Sequence, residues 1–502
     1  MLLSTLSCFL FGLLLPTVPV VFAQTTPCSA SQPCTVGCCG NGGIANSAFI
    51  CGTGPTFCGA GNCTANCGYK SECDPGWGIQ WSNASTCPLN VCCSPFGFCG
   101  TTADFCGGQQ VAEPSCATSG LSTSKRLIGY YEGWNVERSC DVMTPAQIPL
   151  GYYTHINFAF SLIDPNTFQL SPMDANTGSL YGNISSLKGN QPGLQAWLSV
   201  GGWSFNDPGP TQSTFSQLAG SESAQQAFFA SLLTFMSQYG FDGVDIDWEY
   251  PAASDRSGSP ADFTNYVSFL SNLRAAFVGA GRDYGISITL PSSYWYLQHF
   301  DIVNLSQVVD WFNLMTYDLH GVWDGSDPFI GAVALAHTNL TEIDEALQLM
   351  WRNHIDPAKV TMGLGFYGRS FTMSSSSCLQ AGCPFSGPGK PGPCTASAGT
   401  LSAEEIRQVI ANNGATVTED PVAAVEIVTW DGDQWVSYDD LKTFQAKVDY
   451  ANSHCVGGLM VWAADLDDLQ GTSVKQLAAA MGLQAQPTFS GVVQETGYPG
   501  LY

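Results

Sequence analysis

Phe241-Asp-Gly-Val-Asp-Ile-Asp-Trp-Glu-Tyr-Pro251 places four acidic residues, Asp242, Asp245, Asp247 and Glu249, inside an otherwise apolar stretch. Read as a strand, its side chains alternate. Asp245, Asp247 and Glu249 then share one face, and Val244, Ile246 and Trp248 take the other. Seven further short apolar runs flank it: Leu127–Tyr131, His155–Phe160, Ala196–Val200, Ile286–Leu290, Trp311–Tyr317, Val360–Phe366 and Gly458–Ala463. Helix-like stretches separate them, among them Glu222–Tyr239, Ala261–Ala280 and Ile343–Asn353. Apolar strands alternating with helices imply an α/β fold with a parallel sheet. Eight of them imply closure into a (β/α)8 TIM barrel, in which the acidic stretch is the fourth strand. Such barrels take about 250 residues. The excess lies between the seventh and eighth runs, about 370–436, where Cys378, Cys383, Cys394, a Gly/Pro-rich stretch and a strand-like Ala424–Thr429 indicate an α+β insertion.

The orientation of that face matters chemically. Glu249 is expected at the C-terminal mouth of the barrel, the end where barrel active sites lie. Three carboxyl groups on one buried face cannot all ionise at ordinary pH, so at least one should stay protonated near neutrality. That is what a general acid requires. The competing reading of an acidic cluster is a Ca²⁺ site or a set of loop caps.

The whole chain has 502 residues with 16 Lys+Arg against 41 Asp+Glu, a net charge of −25. So few cations cannot neutralise a run of phosphates, so nucleic acid is not expected as a partner, nor is an acidic membrane surface. With 45 % hydrophobic and 12 % aromatic residues but only 11 % charged, the chain has a large core and suits an uncharged ligand. Residues 1–23 read as a signal peptide: an apolar stretch from Cys8, broken by Pro16 and Pro19, ends Val21-Phe22-Ala23. The expected location is extracellular. Asn62, Asn83, Asn183, Asn304 and Asn339 each open an N-x-Ser/Thr sequon, usable only on a secretory route.

Cysteine spacing divides the N-terminal region. Of 21 cysteines, 15 fall between Cys28 and Cys116. This density marks disulfide-held modules in an oxidising compartment. The vicinal pairs Cys38-Cys39 and Cys92-Cys93, with no histidine nearby, speak against zinc. Two sets repeat one pattern: a vicinal pair, then Cys-Gly, then a cysteine preceded by Phe57 or Phe105. The expected organisation is a module at 24–68, a second at 69–117, a linker at 118–124, the barrel at 125–483 and a tail at 484–502. The partner of Cys116 is open, with Cys140 one possibility.

The motif Asp242-x-x-Asp245-x-Asp247-x-Glu249 resembles the signature of glycoside hydrolase family 18 chitinases. Ser199-Val200-Gly201-Gly202-Trp203, Met315-Thr316-Tyr317-Asp318, Tyr367-Gly368-Arg369 and Val461-Trp462-Ala463 resemble that family's third, sixth, seventh and eighth strands. The resemblance covers about Arg126 to Met481. The cysteine modules resemble hevein-type chitin-binding domains, most closely from Cys87 to Cys106. The combination is similar to secreted fungal class V chitinases of the group related to killer-toxin subunits, although no LysM-type module stands beside the hevein-like ones.

The resemblance implies a retaining, substrate-assisted hydrolysis, an exception to the two-carboxylate rule. Glu249 would be the acid/base. Asp247 would orient the substrate's acetamido group and share a proton with Asp245. Tyr317 would bond the acetamido oxygen, and Asp318 the distorted sugar. Trp203, Met315, Trp323, Tyr367, Arg369 and Trp462 would line the substrate path, core packing being the alternative for each tryptophan. No metal or organic cofactor is implied. Chitin and N-acetylglucosamine oligomers are the implied ligands, and a monomer is expected. In the second module the resemblance places Ser94, Phe96, Phe98 and Phe105 on the sugar and implies disulfides among Cys73, Cys93, Cys87, Cys99, Cys92 and Cys106. The first module, with a longer segment from Cys39 to Cys51 and only Phe49 as an aromatic there, is either a spacer or a second binder. A chitin lectin and an N-glycan endo-β-N-acetylglucosaminidase are the competing functions.

Overall fold

A computed structural model describes residues 26–117 and 120–489. The leader expected at 1–23 and residues 490–502 of the tail lie outside these. The chain divides into two compact units, Met1–Gln110 and Val111–Tyr502, taken in turn.

The larger unit is the expected closed barrel. Its strands are β1 (Leu127–Glu132), β2 (His155–Ile163), β3 (Gln195–Gly201), β4 (Gly243–Asp247), β5 (Gly285–Pro291), β6 (Trp311–Met315), β7 (Val360–Gly365) and β8 (Gly458–Trp462). Each pairs in parallel with its sequence neighbour, and β8 pairs with β1 to close the ring. Connecting helices carry local start and stop signals. In Glu222–Tyr239, Ser221 caps the N-terminus by accepting from the Ala224 amide, and Gly240 ends the helix in the left-handed conformation at φ 78°.

Large aromatics fill the N-terminal end of the barrel. Trp197 packs on Trp311 with ring centroids 4.3 Å apart, and His155 stacks edge-on against both. Room for Trp197 comes from glycines on the next strands, because a Cβ at Gly243 or Gly285 would lie 2.4 or 2.3 Å from its ring. This plug leaves the opposite end for polar side chains.

The insertion is a six-stranded antiparallel sheet with a helix, Ala403–Asn412, whose Ser402 and Glu405 form a reciprocal cap. It begins a few residues before 370 and reaches Tyr438. β7 stops at Gly365, and Tyr367–Met373 pairs with Gln434–Tyr438 and Thr400–Ser402. Tyr367 and Arg369, expected on the seventh barrel strand, therefore stand on the first strand of this sheet.

Cys116 joins Cys455, not Cys140, which joins Cys394 in the insertion. The stretch expected as a free linker is accordingly fastened down. The Cys116 amide donates to the Ser453 carbonyl at 2.8 Å, and both the amide and hydroxyl of Thr123 donate to Asn452 Oδ1 at 3.0 Å. Its Ser/Thr content reads as flexible, but those hydroxyls are bonding groups when a partner is present.

In the smaller unit the two cysteine sets form the same cross-linked frame. Cys28–Cys39, Cys34–Cys51 and Cys38–Cys58 in the first are matched by Cys73–Cys93, Cys87–Cys99 and Cys92–Cys106 in the second. Cys63–Cys67 is an extra bridge in the first.

Candidate active site at the barrel mouth

Strand register assembles the site. Asp245 on β4 lies level with Ser199 on β3 and Ser287 on β5. Each hydroxyl donates to it, Ser199 at 2.9 Å and Ser287 at 2.6 Å. Asn313 on β6 adds its amide at 2.9 Å and Tyr130 on β1 its phenol at 2.7 Å. The Asn313 orientation is dictated from behind. Its oxygen accepts from Trp311 Nε1 at 3.1 Å and Thr361 Oγ1 at 2.7 Å, so its NH₂ must face Asp245 and the Tyr130 oxygen. Asp245 is thus fully enclosed, with its oxygens accepting four bonds. Burial still pushes its pKa up, while those donors draw it down.

The next carboxyl outward, Asp247, accepts a short bond from Thr289 on β5. Burial and the neighbouring Glu249 and Asp245 push its pKa well above the ordinary carboxyl value. Glu249 follows directly beyond β4. Burial raises it to about 7, against bonding from the Tyr250 hydroxyl and attraction from Arg256. Along one strand face, the innermost carboxyl is solvated by protein donors, and the outer two have pKa values raised by burial.

Tyr317 is buried beside them, its hydroxyl donating to the soft Met460 sulfur at 3.9 Å. Asp318 has a left-handed backbone at φ 56°, which Asp tolerates better than most residues. The insertion grips it. Arg369 Nε donates at 2.8 Å and Tyr367 at 2.5 Å, and Arg369 Nη2 lies 2.5 Å from the second oxygen. Burial would raise the Asp318 pKa, but the guanidinium and His337 bring it well below the carboxylate range. Asp318 is therefore a fixed anion, in contrast to Glu249.

The tryptophans divide between surface and nest. Trp203 and Trp323 are 48 % and 44 % exposed, which favours a platform over core packing. One face of Trp203 is covered by the Arg256 guanidinium at 3.7 Å. Arg369 lies 5.0 Å from the Trp323 ring. Trp462, at the end of β8, is partly buried in an aromatic nest with Tyr130 at 5.5 Å, Phe160 at 5.7 Å and Trp134 at 6.2 Å. Met315 ends β6.

Several members were not anticipated. Tyr130, Ser287, Asn313 and Thr289 come from other strands, and their residue types carry no motif of their own. Arg256 comes from the loop beyond β4. It donates to the Glu249 carbonyl at 2.9 Å, to Asp207 at 2.9 Å and to the Trp203 carbonyl at 2.5 Å. Burial alone does not mark the site: Glu132 and Asp465, at the ends of β1 and β8, are also buried carboxyls but are tied to Arg138.

In the second cysteine module, Phe96 is 47 % exposed and Phe98 and Phe105 are half-buried. Ser94, expected to face the sugar, is buried, its hydroxyl accepting from the Phe98 amide at 3.1 Å.

A barrel with carboxyls strung along its fourth strand defines the class, and sequence comparison agrees. Residues 126–467 match glycosyl hydrolases family 18, and residues 78–117 match the chitin recognition protein domain. The chain belongs to glycosyl hydrolase family 18. It is 32 % identical over 421 residues to "Secreted chitinase LysM12" of Penicillium expansum, covering 77 % of this chain but only 27 % of that protein. It is 32 % identical over 370 residues to mouse "Chitotriosidase-1", covering 70 % of this chain and 76 % of the relative. Among solved structures, catalytic domain 2 of the Ostrinia furnacalis group II chitinase superposes with a TM-score of 0.63 at 27 % identity, covering 72 % of this chain and 98 % of that one. Among the described residues, no helix is long and apolar enough to cross a membrane.

Proposed function

We propose that this chain is a secreted chitinase that hydrolyses β-1,4 linkages between N-acetylglucosamine units with retention of configuration. The observation that carries the reading is the burial of Asp247 and Glu249 on one strand face, where enclosure raises the Glu249 pKa to about 7 and enclosure with the neighbouring carboxyls raises that of Asp247. Glu249 protonates the glycosidic oxygen. The substrate's own acetamido oxygen attacks C1, forming an oxazolinium ion. Asp247 accepts the acetamido N–H and shares its proton with Asp245 behind it, so that its carboxyl gains negative charge as the oxazolinium forms. Tyr317, whose hydroxyl is bonded to the weakly accepting Met460 sulfur, turns to the acetamido oxygen. Glu249 then takes a proton from water, which opens the ring. The nucleophile belongs to the substrate, so the protein supplies orientation, a proton and charge stabilisation.

Chitin is favoured as substrate by the relatives' names, by the chitin recognition domain and by the exposed tryptophans Trp203 and Trp323. The second module retains the chain on the polymer through Phe96, Phe98 and Phe105.

The test is wild type beside Glu249→Gln on N-acetylglucosamine oligomers, with pull-down on insoluble chitin. Cleavage with retained anomeric configuration by wild type, and binding without cleavage by the variant, supports the reading. Binding alone by wild type would leave a chitin lectin. Release of glycan from a glycoprotein, with no action on chitin oligomers, would make it an N-glycan hydrolase.

A further inference from the structure

The two cysteine modules share a frame, but the second carries the exposed Phe96 on its turn, whereas the exposed aromatic of the first is Phe49. In the first, the position matching Ser94 is Gly40, and no side chain fits there: a Cβ would lie 2.3 Å from the Phe57 carbonyl oxygen. The ring of Phe57 lies over Gly52, where a Cβ would stand 2.5 Å from it, as Phe105 lies over Gly100. The frame is therefore preserved, while the serine hydroxyl that bonds the Phe98 amide in the second module has no counterpart in the first.

What the first module does contribute is contact with the second. Thr53 is buried, and its hydroxyl donates to the Phe96 carbonyl at 2.6 Å. Next to it, Gly54 receives the face of Trp77, whose ring would be 2.8 Å from a Cβ there. The far edge of the same indole approaches Gly97, at 3.1 Å from a Cβ. Trp77 is thus wedged between the first module and the turn that presents Phe96. Within its own module that turn is held on either side of Phe96. The Gly97 amide donates to the Ser94 carbonyl at 2.9 Å, and the Phe98 amide to the Ser94 hydroxyl. The Phe96 carbonyl is fixed by Thr53 of the first module.

We infer that the first module is a brace, not a second sugar-binding domain: Thr53 and the Gly54–Trp77 contact hold the Phe96 turn in the conformation that receives N-acetylglucosamine. Thr53 is a positioning residue for that face. This rests on the reading of the second module as chitin-binding, and pre-ordering an aromatic turn raises affinity by removing an ordering cost at binding.

The experiment uses the full chain carrying Glu249→Gln, Trp203→Ala and Trp323→Ala, so that the cleft neither cleaves nor grips strongly. Depletion isotherms on insoluble chitin are measured for four further substitutions. Phe96→Ala should weaken binding about tenfold or more. Thr53→Val, which keeps shape but removes the donor, should weaken it about five-fold, and Thr53→Ser should restore it. Combined with Phe96→Ala, Thr53→Val should add nothing. Phe49→Ala in the first module should bind as the parent does. Parent-like affinity for Thr53→Val beside a weakened Phe96→Ala overturns the brace. So does a Phe49→Ala loss as large as that of Phe96→Ala, which would make the first module a binder. Undiminished binding by Phe96→Ala would instead remove the underlying chitin-binding assignment.

Discussion

In the barrel, functional side chains are held by strand register. In the cysteine modules they are held by cross-links, and the two devices give different sites. Register places Asp245 among four donors from four other strands, and the carboxyls beyond it are buried, which raises their pKa values. Cross-links hold a short turn at a surface, so Phe96 stays exposed and neutral. A buried, perturbed carboxyl can move a proton. An exposed aromatic can only adhere.

The sharpest way to break this comparison is a pair of substitutions read by two assays. Glu249→Gln should lower turnover of a soluble oligomer by at least about 10²–10⁴-fold, the usual worth of a general acid, and leave retention on chitin beads intact. Phe96→Ala should do the reverse. If Phe96→Ala lowers soluble-oligomer turnover as much as Glu249→Gln, the division of labour is wrong.

Next in size is the scaffold behind Asp245. Asn313→Leu removes a donor from Asp245 and strands Trp311 Nε1, which is bonded to the Asn313 oxygen, while Thr361 Oγ1 keeps the Phe312 carbonyl. Each buried group left unpaired costs about 1–3 kcal/mol, so the melting temperature should fall by several degrees and kcat with it. An unchanged melting curve would show that the network relaxes freely.

Reductant should then separate the units. Seven bridges lie between Cys28 and Cys106, in modules whose buried apolar residues are mostly the cysteines themselves. Losing a native bridge in a small domain costs about 2–5 kcal/mol. Bead retention should disappear at dithiothreitol concentrations where hydrolysis of soluble oligomers persists. Simultaneous loss would mean that Cys116–Cys455, Cys140–Cys394 and Cys378–Cys383 matter as much to the barrel.

The same contrast explains what was legible in the sequence. The eight strands were readable because each is a short apolar run, and the acidic face because alternation has a period of two. Asp245, Asp247 and Glu249 announce themselves, as apolar surroundings make a carboxyl conspicuous. Ser287, Thr289 and Asn313 do not, because a serine or asparagine on a strand has no distinguishing neighbour until the ring closes. Arg256 was missed for another reason: it follows the strand in a loop, and its partners Asp207 and the Trp203 carbonyl belong to the β3 side. The two-module repeat was legible from cysteine spacing and the second module's pairing from the resemblance, but the destination of Cys116 was not, since 339 residues separate it from Cys455. Ser94 was legible as a position and not as an orientation.

The smallest expected effect concerns pH, and its sign differs between the regions. Glu249 has its pKa raised from 4.5 to about 7 chiefly by burial. The folded barrel then binds more protons than the unfolded chain between those values, so this carboxyl stabilises the fold at low pH and the contribution is lost as pH rises through about 7. The acid also has to be protonated to act. Oligomer turnover should therefore fall about two-fold from pH 6 to 7 and about tenfold per unit well above that. Asp74 in the second module is the opposite case. The Gly78 amide, with those of Gly76 and Trp77, donates to its carboxylate and lowers its pKa below the ordinary 3.8. Its folded form binds fewer protons, so its contribution is present above that ordinary value and lost as pH falls below it. Because these bonds hold the backbone at Trp77, bead retention should weaken only below about pH 4, while hydrolysis weakens only toward alkali. Asp74→Asn should remove the acid limb of retention without moving the alkaline limb of turnover. A shared pH profile for both assays would mean that one group controls both.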